Sequence, residues 1–65
     1  MVKYANIEVP LSGQDGNGMF ILSRVSMALK IANVPDEEIE AYRTEATSGN
    51  YDHLLQTTME TVNVT

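Results

Sequence analysis

The residues that could bind a ligand or perform acid–base chemistry lie in two short polar segments. The first is the glycine-rich turn DGNG at residues 15–18, which precedes a long apolar segment. The second is the sequence YDH at residues 51–53, which contains the single histidine of the chain. Carboxylates and imidazoles are common acid–base groups in proteins. These two segments are therefore the first candidates for a functional site.

The glycine-rich turn resembles the middle of an EF-hand calcium loop, but the key ligands are missing. Gly13 stands where the loop needs its first carboxylate, and Arg24 stands where it needs its closing glutamate. A guanidinium group at that position would repel the ion. With a single histidine and no cysteine, a zinc site within one chain is also excluded. We therefore predict no metal site and no cofactor.

The same glycines could form a phosphate cradle, because backbone amides at a helix N-terminus attract anions. However, no Lys-Ser/Thr pair follows the glycines, and Asp15 places a negative charge where the phosphate would lie. A turn that caps the following helix is favoured, with Asp15 or Asn17 accepting hydrogen bonds from its free amides. Catalysis is also disfavoured: Asp52 and His53 are adjacent in a predicted helix, so their side chains do not face each other. We predict that the protein is not an enzyme.

Length and charge narrow the possible functions further. Sixty-five residues are enough for one domain, which we assign to residues 1–65. A domain of this size is only marginally stable unless a disulfide, a metal or oligomerisation stabilises it. The net charge is −5, and the four basic residues are scattered, which argues against direct nucleic-acid binding. No segment has the length and apolar character of a membrane span or a signal peptide. We expect a soluble cytoplasmic protein.

The element that these segments flank is a predicted central helix within residues 15–33. At about 100° per residue its apolar side chains cover roughly 220° of the helix surface, well beyond the ~100° stripe of an ordinary surface helix. One side of this helix should face the core of the domain. We predict that the other side contacts a second copy of the protein. Phe20, Met27 and Ile31 are the candidate interface residues, together with Arg24, whose direction falls inside the apolar arc. Arg24 should snorkel, or pair with Glu45, Glu60 or a carboxylate of a second subunit.

The rest of the chain predicts an α+β domain with the order β-α-α-α-β. Residues 2–11 alternate as a strand, with Ala5, Ile7, Val9 and Leu11 on the inner face. Pro35 opens a second helix, which buries Ile39, Tyr42 and Ala46 and ends at Gly49, a predicted left-handed C-cap. Asn50 caps a third helix, with Tyr51, Leu54, Leu55 and Thr58 facing inward. Residues 61–65 form a short final strand.

Alternating element directions predict that the two terminal strands pair in parallel, joined by a helical crossover. Because two strands alone are marginal, an exposed edge could pair with a second copy and extend the sheet across a dimer. The first and third helices should begin at the same end of the domain. Residues near that end are the candidates for a small binding site: Asp15, Asn17, Tyr51, Asp52 and His53.

At these segments the chain resembles a group of small proteins from bacteriophages and bacteria. The resemblance rests on the DGN start of an apolar helix and on the later segment SGNYDHLL, and it covers nearly the whole chain. The pattern more often has alanine where Gly18 and Met19 stand. The resemblance implies a coherent fold and a viral or bacterial origin, and no catalytic residue.

Two functions follow as hypotheses. The first is a homodimeric, non-enzymatic interaction protein that acts by protein–protein contact, for example as a phage-encoded modulator of a host protein. The second is a small-ligand or anion-binding module that uses the loop end of the domain.

Overall fold

The computed structural model describes residues 2–11 and 18–65 and confirms the α+β fold with its predicted element order. The strands are β1 (Tyr4–Val9) and β2 (Val62–Val64), and the helices are α1 (Gly18–Ile31), α2 (Asp36–Ala46) and α3 (Tyr51–Thr61). Asp15 and Asn17, the predicted caps of α1, lie outside the described residues, as does Gly13.

The two strands pair in parallel, as predicted. Tyr4 is opposite Val62 and Val9 is opposite Val64, with an irregular register between Tyr4 and Glu8. Backbone hydrogen bonds from Leu11 to Thr65 and from Thr65 to Val9 hold the far end of the pair. The irregularity changes the inner face of β1. Ala5 is exposed, contrary to the strict alternation that placed it inside, and Tyr4 packs against the core instead.

Helix α1 lies across the domain with only one side buried. Its buried residues are Ile21, Leu22, Val25 and Leu29, which belong to the hydrophobic core. The core is completed by residues from every other element: Val9, Ile39, Tyr42, Ala46, Leu54 and Val62. The opposite side of α1 carries the predicted interface residues, of which Met27 and Ile31 are largely exposed.

A left-handed residue terminates α1. Asn33 has φ 65° and is the one non-glycine residue with positive φ among those described. The amide of Asn33 donates to the carbonyl of Lys30, and the amide of Val34 donates to the carbonyl of Leu29. These two bonds form a Schellman motif, which satisfies carbonyl groups that a helix end leaves free. Pro35 is the N-cap of α2 and so directly precedes the first turn, in which it was predicted to lie.

Helices α2 and α3 pack against each other through the stripe predicted for α2, namely Ile39, Tyr42 and Ala46. From α3, Leu54, Thr57 and Thr58 are buried, whereas Tyr51 and Leu55 are half-buried. Thr58 Oγ1 donates to the Leu54 carbonyl at 2.9 Å, so the hydroxyl of Tyr42 is the donor in its 2.7 Å bond to Thr58 Oγ1. This buried polar pair joins the two helices.

Candidate functional site

The exposed side of α1 presents the four predicted interface residues in one stripe. Phe20, Arg24, Met27 and Ile31 follow one another at spacings of four, three and four residues. Such spacing keeps them within roughly 60° of one another on a helix, which is the pattern of helix–helix contacts. Met27 is 64% exposed and Ile31 is 76% exposed, whereas Phe20 is half-buried. An apolar stripe of this kind on the surface typically marks an interaction site.

A shallow apolar groove adjoins this stripe, between α1 and the end of β1. Its volume is about 190 Å³. The lining comes from both elements: Glu8, Val9, Pro10, Arg24, Met27, Ala28 and Ile31. The apolar stripe and the groove together form one continuous surface, which we call the α1 face.

The partner predicted for Arg24 within the chain is wrong. The carboxylate of Glu45 lies 2.9 Å from Nε2 of His53, and no ion pair of the described residues includes Arg24 or Glu60. The guanidinium of Arg24 lies instead 5.7 Å from the centre of the Phe20 ring, a cation–π contact one helical turn away. Arg24 is exposed, so its guanidinium lies in water beside the apolar stripe.

At the loop end, α1 and α3 come together as predicted. A Cβ atom at Gly18 would lie 3.4 Å from Leu54 Cδ1 and 3.6 Å from Tyr51 Cδ1. The small groove there is lined by Gly18, Tyr51, Asn50 and neighbouring residues of α1 and α2, and its described lining includes no arginine or lysine. The Asn50 side chain accepts a hydrogen bond from the amide of His53 at 2.9 Å, which confirms the predicted cap.

The three polar residues at the start of α3 lie in different surroundings. Tyr51 lines the groove near Gly18, Asp52 is exposed, and His53 faces the C-terminal end of α2. Because Asp15 and Asn17 are not described, the candidate loop-end site is represented only by these α3 residues. Of the three, Tyr51 alone faces that groove.

His53 is held by the last turn of α2. Its Nε2 atom lies 3.0 Å from the carbonyl oxygen of Glu45 and 2.9 Å from Glu45 Oε2. Both of these atoms are acceptors, so Nε2 carries a proton and donates it. The hydroxyl of Ser48 donates to the same Glu45 carbonyl at 2.7 Å. His53 and Ser48 therefore both cap the carboxyl end of α2.

This cluster contains serine, histidine and glutamate, but it is not arranged as a catalytic relay. A Ser–His–acid relay needs the acid on one ring nitrogen and the serine on the other. Here Ser48 Oγ, at 3.3 Å, and the Glu45 carboxylate both face Nε2. Since Nε2 carries a proton, it cannot accept one from Ser48. The sequence did not reveal this cluster, because Glu45 and His53 belong to different helices.

Gly49 has a different role from the one predicted. Its φ is outside the left-handed range, and Thr47 is the C-cap of α2. A Cβ atom at Gly49 would lie 3.0 Å from both Cβ and Cγ of His53. Glycine is therefore needed here because the backbone lies against the histidine ring.

The start of β1 is tied to the start of α2. Lys3 Nζ donates to Glu38 Oε1 and also lies 5.7 Å from the centre of the Tyr4 ring. The hydrogen bond with Lys3, and then its charge, lower the pKa of Glu38 and correspondingly raise the pKa of Lys3. The pair is well exposed, so water screens it and it adds little to stability.

A second groove, of about 500 Å³, lies between α1 and α2. It is lined by Ser23, Ser26, Met27, Lys30, Asp36, Ile39, Glu40 and Arg43. Ser26 Oγ is buried there and has no hydrogen-bond partner among the described residues. The charges of both signs around this groove give no preference for one class of ligand.

In the described parts of the chain, no three histidine, aspartate or glutamate residues are grouped as metal ligands. None of the described helices combines the length and the hydropathy needed to cross a bilayer.

No protein-family model matches the chain, and comparisons with curated proteins and solved structures gave no significant match. The resemblance to small phage and bacterial proteins therefore stays a prediction.

Proposed function

We propose that this protein is a non-enzymatic interaction protein that forms a homodimer through the α1 face. The single observation that carries the proposal is the stripe of half-buried Phe20 and exposed Met27 and Ile31 at helix-contact spacing. A small domain without disulfides gains stability by burying such a stripe against a second copy. Burying one large apolar side chain contributes about 1.5–3 kcal/mol.

The α1 face suits the contact better than the edge of the sheet. Strand β1 has an irregular register between Tyr4 and Glu8, and Pro10, directly after the strand, has no amide to donate. Irregularities and prolines are the features by which proteins protect strand edges from pairing. A dimer formed by extending the sheet through the edge of β1 is therefore less favoured than a dimer formed through the α1 face.

Sedimentation equilibrium at micromolar concentration tests the dimer. The wild type is expected to sediment as a dimer, and Met27→Glu as a monomer. Met59→Glu is the matched control, because Met59 is 60% exposed on α3, outside the stripe. Circular dichroism should show that both variants are folded. A wild type that sediments only as a monomer would refute the proposal, and so would a Met27→Glu variant that dimerises as well as Met59→Glu.

We further propose that the dimer acts in the cytoplasm of a bacterial cell by binding another protein, as expected for a phage-encoded modulator of its host. The resemblance of the DGN and SGNYDHLL segments to phage and bacterial proteins supports this part. A pull-down from bacterial lysate followed by mass spectrometry should recover one stoichiometric protein partner. Recovery of a small molecule instead would favour the ligand-binding alternative at the loop end.

A further inference from the structure

Two opposite charges border the apolar groove of the α1 face. Arg24 of α1 and Glu8 of β1 both line the groove. Both residues are exposed. The remaining lining is apolar apart from backbone atoms: Val9, Pro10, Met27, Ala28 and Ile31.

Neither charge forms an ion pair within the described part of the chain. The ion pair there joins Lys3 to Glu38, and the Glu45 carboxylate accepts a hydrogen bond from His53. Arg24 contacts the Phe20 ring, which leaves its guanidinium N–H groups able to bind a carboxylate. The apolar face thus has a cation and an anion that no ion pair of the described residues neutralises.

A face with these properties is complementary to itself. In a two-fold contact, residue i of one copy meets residue j of the other, and residue j meets residue i. One cation and one anion on the same face can therefore form two identical ion pairs. We propose that Arg24 of each subunit pairs with Glu8 of the partner subunit in the homodimer. This inference rests on the proposed dimer and specifies its orientation.

The ion pairs would select the partner as well as the orientation. Apolar side chains such as Met27 and Ile31 attract many apolar surfaces without distinguishing them. Charges beside an apolar contact disfavour wrong partners, because like charges then come together. The pairing of Arg24 with Glu8 thus restricts the α1 face to a second copy of this chain in one orientation.

Charge reversal tests the pairing. Arg24→Glu alone places two like-charged acidic pairs across the axis, and Glu8→Arg alone places two basic pairs. Each should weaken the homodimer by at least about tenfold. A one-to-one mixture of the two variants should form a heterodimer, since the acidic pair of one variant then meets the basic pair of the other at both contacts. The double variant R24E/E8R should again form a homodimer.

Sedimentation equilibrium on the separate and mixed variants, with folding checked by circular dichroism, distinguishes the outcomes. A monomeric wild type would overturn both the dimer and the pairing. A dimeric wild type whose two single variants dimerise equally well would overturn the pairing alone. A double variant that recovers while the mixture of single variants stays monomeric would show that the two residues interact within one chain, which also overturns the pairing.

Discussion

His53 is a polar residue whose hydrogen bonds stabilise the fold. Its amide is bound by the Asn50 side chain, and its ring donates to the last turn of α2. These contacts link α3 to the preceding helix through a connection of only four residues. A histidine with its Nε2 proton engaged in this way is a structural residue of the fold.

The first prediction at the scale of single residues concerns Gly49. Gly49→Ala places a Cβ 3.0 Å from both Cβ and Cγ of His53, so the histidine must shift by a few tenths of an ångström. Overpacking of this kind costs about 1–3 kcal/mol, which thermal melting should detect as a lower Tm. Gly18→Ala is the matched control, because its nearest neighbour would be 3.4 Å away.

A double-mutant comparison identifies the cause. In a His53→Ala background, Gly49→Ala should cost less than in the wild type, because the ring atoms of residue 53 are gone. An equal loss of stability in both backgrounds would show that the imidazole ring is not the cause, since the Cβ of residue 53, which is also 3.0 Å from the added Cβ, remains in alanine.

The second prediction at this scale concerns Asn33. A left-handed residue with a Cβ costs roughly 1–2 kcal/mol, which asparagine reduces by local hydrogen bonding and glycine avoids. Asn33→Ala should therefore lower the stability by about 1 kcal/mol, and Asn33→Gly should keep or raise it. In a domain of this size, 1 kcal/mol corresponds to about 4–8 °C in Tm. Equal Tm values for the alanine and glycine variants would contradict the assigned role.

At the scale of elements, local signals in the sequence predicted the helices and strands well. The stripe of Ile39, Tyr42 and Ala46 faces the core, and Asn50 caps α3, because both features depend on residues a few positions apart. The parallel pairing of β1 and β2 followed from the order of the elements. These predictions needed only the periodicity of each element and the direction of the chain.

Contacts between elements were harder to predict. The bond between His53 and Glu45 and the placement of Glu8 and Arg24 on one groove both depend on how separate elements pack. The exposure of Ala5 depends on an irregular register that no local pattern signals. In contrast, the stripe of Phe20, Met27 and Ile31 could be found from the sequence, because its width exceeds what the core of a small domain can cover.

The third prediction belongs to the α2–α3 contact. Burial raises the pKa of the Tyr42 hydroxyl above its ordinary value near 10. At high pH the unfolded chain loses this proton more readily than the folded chain does. The stability that Tyr42 contributes is therefore complete below about pH 10 and is lost as the pH rises through the folded pKa.

Denaturant titrations of the wild type and Tyr42→Phe at pH 7 and pH 11 measure this effect. Loss of the hydroxyl should cost about 1 kcal/mol at pH 7, and the difference should shrink at pH 11, where only the wild type has this tyrosine to ionise. Other alkaline titrations, such as that of Lys3, affect both proteins equally. A difference that stays constant with pH would contradict the assigned burial effect.

At the scale of the whole molecule, the distribution of apolar surface is the unusual property. The described chain buries a core drawn from all five elements, yet Met19, Met27, Ile31 and Met59 are each at least 60% exposed. Met27 and Ile31 share one face with Phe20, whereas Met59 lies on another helix. The proposed dimer would cover the shared face and leave Met59 in water.

The parallel pairing of β1 with β2 also determines how the domain would resist force. The start of β1 and the end of β2 lie at opposite ends of the strand pair, because the strands run in the same direction. Tension applied at these two points slides one strand along the other. The hydrogen bonds between them, including those of Leu11 and Thr65, then carry the load together rather than opening one after another. When force is applied to the two ends of the strand pair, the pair is loaded in shear. It would then protect the three helices between its strands from unfolding.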